Sequence, residues 1–429
     1  MRSNLMKRTF ATAGILSLLT PSIASSAPSA ISPLLPQSCL ASKAQELQFS
    51  GVVSIMRSGV ATSYAQGQVS GPGTPPISFG TQFNLGSAGK MFTAVAIAQL
   101  LEAGKIALED PIGKYVKGLT AQASEVSVRQ LLNHTSGLGN YFAPENLPAL
   151  TKAKTLKDLF PLVANDVPEF APGSRFSYSD SGFLLLGLLV ECVSGLSYGD
   201  YIHSHVFMPA KMLATGFEPR AVPARAEGMT HMPSPANTPM AAMRHGQGLR
   251  LDAPPTPSPE ALQEQPPHMA ETKTPPSNGP HLLLRAGDSR VEGPLRQAQE
   301  AALQGGPAGG VYSTADDMQK FFSALQHDKL IHEDTVKMLT SPQITASQAK
   351  NIPPDRSYGL GFGVGLFRGH RWFGHNGGAP GVNTETFVFP EDQVSIVVLS
   401  NRDPPTASIL FQQIRADLFT PESACAGPN

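Results

Sequence analysis

The chain has 429 residues, 41% of them hydrophobic, with 32 Lys plus Arg against 33 Asp plus Glu and a formal net charge of -1. That suffices for one large domain or two ordinary ones, and the balanced charge, with no basic stripe, argues against nucleic acid as a partner. The 3 cysteines form no zinc-type cluster with histidine, and His203 and His205, two apart, fall on different sides of a helix, so no metal is expected.

The N-terminus has the layout of an export signal: Lys7-Arg8, an apolar stretch over 10–19, then small residues over 22–27 suited to cleavage. Residues 1–27 are set aside as a signal peptide, which places the mature protein in the periplasm or outside the cell. The apolar core is too short to span a bilayer, so no membrane span is expected once the signal is removed. Export permits disulfides, and Cys39 and Cys425 would pair if the termini meet; Cys192, inside the apolar run 184–193, reads as a buried free thiol.

A Pro-rich lead over 28–48 is followed by two strands, 49–56 and 60–65, around the turn Ser58-Gly59. Asn84-Leu85-Gly86-Ser87-Ala88-Gly89-Lys90 then opens an apolar helix over 92–101, with Gly104 as its stop. Asp110-Pro111 reads as an N-cap with proline at the first helical position, and Ser127 to Gln130 as a capping box for a short helix ending near His134. A loop over 172–180 leads into a second apolar helix, 182–193, closed by Gly195, with Asp180 a candidate N-cap. Between 220 and 304 proline pairs recur and no aromatic residue occurs between Phe217 and Tyr312. This stretch is expected to be a poorly ordered insertion, with some local structure around 281–285.

Beyond it, Ser313 or Thr314 caps a helix running to about Leu325, with Asp316 and Asp317 as first-turn charges. Strand-like runs follow at 361–367, 371–374, 384–389 and 394–400, then a last helix over 407–419 and a tail over 420–429. Strands at both ends with helices between predict an α+β fold: an antiparallel sheet built from N- and C-terminal strands, flanked by helices, with a mostly helical subdomain inserted. The domain covers 49–219 and 305–419.

Ser87 and Lys90 stand three apart at the mouth of the first apolar helix, one turn apart on one face. A hydroxyl beside an amine, where helix N–H groups favour negative charge, suits nucleophilic attack on a carbonyl. Ser-x-x-Lys is a loose pattern, and Ser347 to Lys350 repeats it. That copy lies in a polar stretch with no apolar helix to hold it, so Ser87 is the candidate. A serine hydroxyl needs a base, and Lys90 and Tyr178 are both candidates. Each has a free pKa near 10 and must be shifted to serve. His134 is read as fixing its loop by hydrogen bonds.

Ser87-Ala88-Gly89-Lys90, Tyr178-Ser179-Asp180 and His375-Asn376-Gly377 occur in that order. Leu132-Asn133-His134-Thr135-Ser136-Gly137-Leu138, Gly309-Gly310-Val311-Tyr312-Ser313-Thr314 and Tyr358-Gly359-Leu360-Gly361-Phe362 accompany them. Over about 49–219 and 305–402 the chain resembles the serine β-lactamase and penicillin-binding superfamily, most closely its class C β-lactamase, D-Ala-D-Ala carboxypeptidase and esterase branch. The resemblance implies a β-lactamase/transpeptidase-like fold and an acyl-enzyme on Ser87, with Lys90 and Tyr178 catalytic and no cofactor. It implies an oxyanion hole from the backbone N–H groups of Ser87 and Gly378. Asp180, His375, Asn376 and Gly377 would bind substrate, the last three on the edge strand in place of the family's Lys-Thr-Gly. Asp180 departs from the asparagine more usual there; a carboxylate only accepts hydrogen bonds, which favours an ester or a substrate bearing an amine over an acylamide carbonyl. Two functions are carried forward. One is an exported serine hydrolase acting on a small-molecule or peptide substrate, an ester or amide such as a β-lactam or D-amino acid peptide. The other is a catalytically silent relative that binds a cell-wall ligand or a partner. Oligomeric state has no sequence signal.

Overall fold

The computed structural model describes residues 34–217, 225–231, 295–298, 306–345, 347–349, 352 and 355–420. Seven strands form one antiparallel sheet: β1 (Gly51–Arg57), β2 (Val60–Gln66), β3 (Arg356–Tyr358), β4 (Gly363–Phe367), β5 (His370–Ala379), β6 (Val382–Phe389) and β7 (Val394–Ser400), in the order β2-β1-β7-β6-β5-β4-β3. The N-terminal hairpin joins the C-terminal meander through β1 and β7, with Gly51 opposite Ser400. This is the α+β architecture expected from strands at both ends.

Both faces of the sheet are covered, and the pleat decides which side chains go where. Val53, Ile55, Ile396 and Val398 pack under α1 (Gln37–Glu46) and α6 (Thr406–Leu418), with Leu40, Leu410 and Ile414. Val52, Val397 and Leu399 point to the larger core, shared with α2 (Lys90–Glu102), α4 (Asp180–Ser194) and α5 (Ala315–Gln326). Because α2 is apolar all round it sits in the middle of this core, where Phe92 meets Phe207 and Phe321 edge-on at 5.1 and 4.9 Å. The capping box at Ser127 and Gln130 forms as predicted and opens α3 (Val128–Leu132).

Several expectations need correction. The lead over 28–48 contains α1, whose N-cap is Pro36 without a side-chain cap, so the usual start signal is missing. Lys43 of α1 pairs with Asp417 of α6 at 2.8 Å, so the two ends of the domain meet. Cys39 is disulfide-bonded, Cys425 lies outside the described residues, and Cys192 is free. Cys192 is exposed rather than buried, because the buried stretch of α4 ends at Val190 and its last turn emerges from the core. Asp110 caps no α-helix; Ile112–Lys114 is a single 3₁₀ turn, and Asp110 accepts from Ala107 N and the Tyr115 hydroxyl instead. Asp317 is more than a first-turn charge, since it is buried and accepts from Ala214 N and Thr215 Oγ1.

The described edges of the 220–304 segment are ordered. Met229–Thr230 pairs with Arg296–Gln297, and Ala226 N and Met229 N donate to Gln82 O and Asn401 O at 2.8 and 2.9 Å. The stretch 232–294, including 281–285, lies outside the described residues, as do the export signal and the tail from 421. Among the described residues no single helix is long and apolar enough to cross a membrane.

The strand foreseen over 371–374 runs on to Ala379, its second half hidden by glycines that carry little β-propensity. Nor is β5 an edge strand as such: it lies between β6 and β4. It is open on one side only from His375 onward, because β4 begins at Gly363, opposite Gly374, and the chain before Gly363 turns away. That open half carries His375-Asn376-Gly377.

Candidate active site

Ser87 lies in a 3₁₀ turn, Gly86–Gly89, that feeds directly into α2. The turn is pressed against the open half of β5. Gly86 has φ +52, and a Cβ there would lie 3.1 Å from both Gly377 Cα and Gly378 N. A Cβ on Gly377 would lie 2.0 Å from the Leu85 carbonyl oxygen. These glycines let Gly378 N approach the nucleophile's turn, the placement an oxyanion hole from the Ser87 and Gly378 N–H groups requires.

Lys90, the first residue of α2, is completely buried. Its Nζ has three neighbours: Ser87 Oγ at 3.2 Å, Asp180 Oδ1 at 2.5 Å and the Ala308 carbonyl oxygen at 2.6 Å. Two of these only accept, whereas the serine hydroxyl can accept or donate. The cage therefore fits an ammonium with three N–H donors and also an amine that donates twice and receives the Ser87 proton on its lone pair. Burial lowers the Lys90 pKa, opposed by the carboxylate of Asp180. Ala308 was not legible as a site residue; it enters because the loop 306–310 wraps the turn, with Gly310 N donating to Gly86 O at 3.1 Å and Thr93 Oγ1 to Pro307 O at 2.7 Å.

Tyr178 and Asp180 are delivered by the start of α4. The N-cap is Ser179, not Asp180: Ser179 Oγ accepts from Gly182 N at 3.0 Å and donates to Gly139 O at 2.8 Å. Asp180 is thereby free to pair with Lys90. The Tyr178 hydroxyl is buried without a hydrogen-bond partner among the described residues. Its ring stands beside Lys90, with Nζ 4.8 Å from the centroid. Burial, reinforced by Asp180, pushes the phenol well above 10; the nearby Ser87 hydroxyl works in the opposite sense without a well-formed bond.

His134 does what its loop position predicted. It adopts φ +58, its Nδ1 accepts from Ser179 N at 3.1 Å, and its carbonyl accepts from Ser177 N at 2.9 Å, so it holds both flanks of Tyr178. Its ring lies 4.1 Å from that of Tyr178. Burial, then Lys90 and His375, keep it neutral well below 6.5.

His375 is buried at the open half of β5. Its Nδ1 faces the Asn376 carbonyl oxygen at 2.5 Å and its Nε2 the Tyr358 hydroxyl at 2.9 Å. A carbonyl only accepts, so Nδ1 carries the proton and Nε2 accepts from Tyr358. Burial, then Lys90, hold its pKa down to about 3. Both ring nitrogens are thus occupied, and Tyr358, part of a supporting motif in the sequence, joins His375 by hydrogen bond and ring contact to the aromatic wall around Tyr178, which the His375 ring also meets directly at 6.3 Å. The Asn376 side chain has no hydrogen-bond partner among the described residues. The chance pattern at Ser347 stays apart: Ser347 is exposed in a turn and Lys350 lies outside the described residues. Among the described residues no group of three or more His, Cys, Asp or Glu is placed to hold a metal.

A Beta-lactamase family model matches residues 37–418. Penicillin-binding protein 4* of Bacillus subtilis (strain 168) is 35% identical over 146 residues, 33% of this chain and 31% of that protein. Protein flp of Staphylococcus aureus (strain MW2) is 31% identical over 142 residues, 32% of this chain and 28% of that protein. The chain thus spans under a third of the length of these curated relatives. Among solved structures, a penicillin-binding protein from Bacillus halodurans superposes with a TM-score of 0.68 at 25% identity, covering 88% of this chain and 98% of that one. A D-stereospecific amidohydrolase from Streptomyces sp. shares the fold, with a TM-score of 0.64 at 21% identity, covering 90% of this chain and all of that one. With the family match running from α1 to the end of α6, over a β-lactamase/transpeptidase fold that unites Ser87, Lys90, Tyr178 and β5, the chain belongs to the beta-lactamase family, whose members are serine hydrolases.

Proposed function

We propose that the protein is an exported serine hydrolase that cleaves a carboxylic ester or an amide, such as a β-lactam or a D-amino acid peptide, through an acyl-enzyme on Ser87. The observation that carries this reading is the buried Lys90 Nζ, 3.2 Å from Ser87 Oγ. As Oγ bonds to the carbonyl carbon, the Ser87 proton passes to the Lys90 amine and the carbonyl electrons collect on oxygen, facing the N–H groups of Ser87 and Gly378. Lys90 rather than Tyr178 is the base in this scheme, because it contacts Ser87 directly and because burial moves the amine down and the phenol up. As the carbonyl re-forms, the proton now held by Lys90 passes to the leaving group and returns Lys90 to the amine, while Tyr178, protonated and without a partner among the described residues, donates a hydrogen bond to that departing group. Water then cleaves the acyl ester with Lys90 as base, releasing the acid and restoring Ser87.

The names of the relatives, penicillin-binding proteins and a D-stereospecific amidohydrolase, support an acyl substrate of this kind. Export is supported by the disulfide at Cys39, which belongs in an oxidising compartment. The test is mass spectrometry of the Ser87 peptide after brief exposure to penicillin, cephalosporin, activated esters and D-Ala-D-Ala mimics. An acyl adduct on Ser87, absent in Ser87→Ala together with turnover, is expected. Turnover retained by Ser87→Ala would overturn the assignment.

A further inference from the structure

Asp180 is engaged on one side only. Its Oδ1 meets Lys90 Nζ at 2.5 Å, while its Oδ2 has no hydrogen-bond partner among the described residues. The residue is 7% exposed, and 10% of its side-chain surface stays open. The helix does not need it as a cap, since Ser179 fills that place. No protein donor among the described residues holds this second oxygen, and it is not sealed from solvent, so a donor brought by a ligand can complete it.

We propose that Asp180 Oδ2 is a recognition site for a charged N–H donor on the acyl portion of the substrate, so that the site selects acyl groups with a free α-ammonium, as in an amino acid amide or ester, over their N-acylated counterparts. This rests on reading Ser87 as the nucleophile. An α-amine stands two bonds from the carbonyl carbon that Ser87 attacks, and Lys90 Nζ bridges that same short gap between Ser87 Oγ and Asp180. A carboxylate offers only lone pairs. It pairs with an ammonium through a charge-assisted bond, about twice as strong as a neutral one. N-acylation removes the charge and adds a carbonyl, a second acceptor, beside the first.

The local charge balance points the same way. With Lys90 as the neutral amine that takes the Ser87 proton, Asp180 is left as an uncompensated anion, and the remaining ionisable groups in the cluster, Tyr178, Tyr358, His134 and His375, are all held neutral at physiological pH by burial. Both nitrogens of His375 are already spent on Asn376 and Tyr358. An ammonium therefore enters without a competing cation in this cluster, and meets the one charged atom that lacks a partner.

The test uses the mature full chain carrying Ser87→Ala, so that binding is read without turnover. Calorimetric titration with D-alaninamide and N-acetyl-D-alaninamide at pH 7 should show the free amine bound at least about tenfold more tightly. The preference should fade as pH rises past the amine's own pKa, near 8, and shrink to within about twofold in Ser87→Ala/Asp180→Asn, on the same charge-assisted scale. Equal binding, binding of neither amide, or a preference that survives Asp180→Asn would overturn the proposal. Should the double variant fail to fold, the pH titration with Asp180 intact decides alone. Failure of the hydrolase reading is seen separately, as absence of Ser87 acylation by neutral esters in the unaltered protein.

Discussion

The approach of β5 to the nucleophile's turn makes Gly377→Ala a sharp test of the geometry. The added Cβ would sit 2.0 Å from the Leu85 carbonyl oxygen, 2.9 Å from its carbonyl carbon and 3.1 Å from Gly86 Cα. All three are backbone atoms, so no side-chain rotation relieves the contact. Restoring an ordinary non-bonded separation of about 3.5 Å requires strand and turn to part by roughly 1.5 Å. Gly378 N moves with the strand and away from Gly86. Misplacing a reacting group by about 1 Å costs about 10²-fold, and loss of one oxyanion donor about 10²- to 10³-fold. The expected result is a fall in kcat, or in the rate of Ser87 acylation, of at least about 10²-fold, equivalent to about 3 kcal/mol on the barrier. Gly363→Ala is the control: it lies on the adjoining strand, its Cβ would meet Gly374 O at 3.4 Å and Trp372 at 3.7 Å, and an effect under about threefold is expected. Stopped-flow hydrolysis of a p-nitrophenyl ester, with melting temperatures measured in parallel, makes the comparison. A Gly377→Ala protein that keeps its kcat within about threefold would refute the placement of the oxyanion donors.

Two stability predictions follow from buried titratable groups. His375 has a folded pKa of about 3 against 6.5 unfolded. Below 6.5 the unfolded chain takes up a proton that the folded protein refuses, so its contribution is full above 6.5 and is lost as pH falls towards 3. Each pH unit in that window is worth about 1.4 kcal/mol. Urea unfolding should show His375→Gln losing on the order of 2 kcal/mol less than the unaltered protein between pH 6.5 and 4.5, with the remaining slope owed in part to His134; identical slopes would contradict this. Glu385, buried on β6 where it accepts from Ser408 Oγ, has the opposite sign: burial lifts it from 4.5 to about 7. Its contribution is full below 4.5 and is lost as pH rises through 7, so Glu385→Gln should be the more stable protein at pH 8, by on the order of 3 kcal/mol, and not at pH 4. Thermal unfolding across that range checks it, and a less stable variant at pH 8 would sink the argument.

The fold was legible wherever apolar pattern and punctuation agreed. The all-apolar runs of α2 and α4 needed a buried setting, and the chain ends supplied complementary strands, so the sheet and the helices inserted into it could be laid out from pattern alone. Elements were missed where the local signal was weak and tertiary packing decides. Helix α1 starts after Pro36 without a capping side chain, and is held through its buried Cys39, Leu40 and Ala44 and by the Lys43–Asp417 pair. The second half of β5 is strand because β6 pairs with it, Thr384 opposite Gly377, not because Gly377-Gly378 favours extension. Cys192 looked buried because its neighbours are apolar, but a helix of 15 residues outruns the core it crosses.

The site shows a sharper division. Spacing alone placed Ser87 and Lys90 together, because three residues along a helix is a distance that the backbone sets. It could not place Asp180, which lies ninety positions from Lys90 and meets it only through the packing of α4 on α2. The consequence is chemical. Set against a family that more often carries an amide at this position, Asp180 looks like a change in how substrate is held; in the folded chain it is first a partner for the buried amine through Oδ1, and Oδ2 is left without a protein partner among the described residues. One carboxylate therefore acts on both sides of the reaction coordinate. Through Oδ1 it raises the proton affinity of Lys90, which burial lowers, and so favours the ammonium that forms when Ser87 is deprotonated. Through Oδ2 it accepts and never donates. Asp180→Asn should accordingly move two observables that an ordinary packing residue would leave together. The acid limb of the pH–rate profile should shift to lower pH as Lys90 loses its anion, and discrimination between free and acylated amines should collapse.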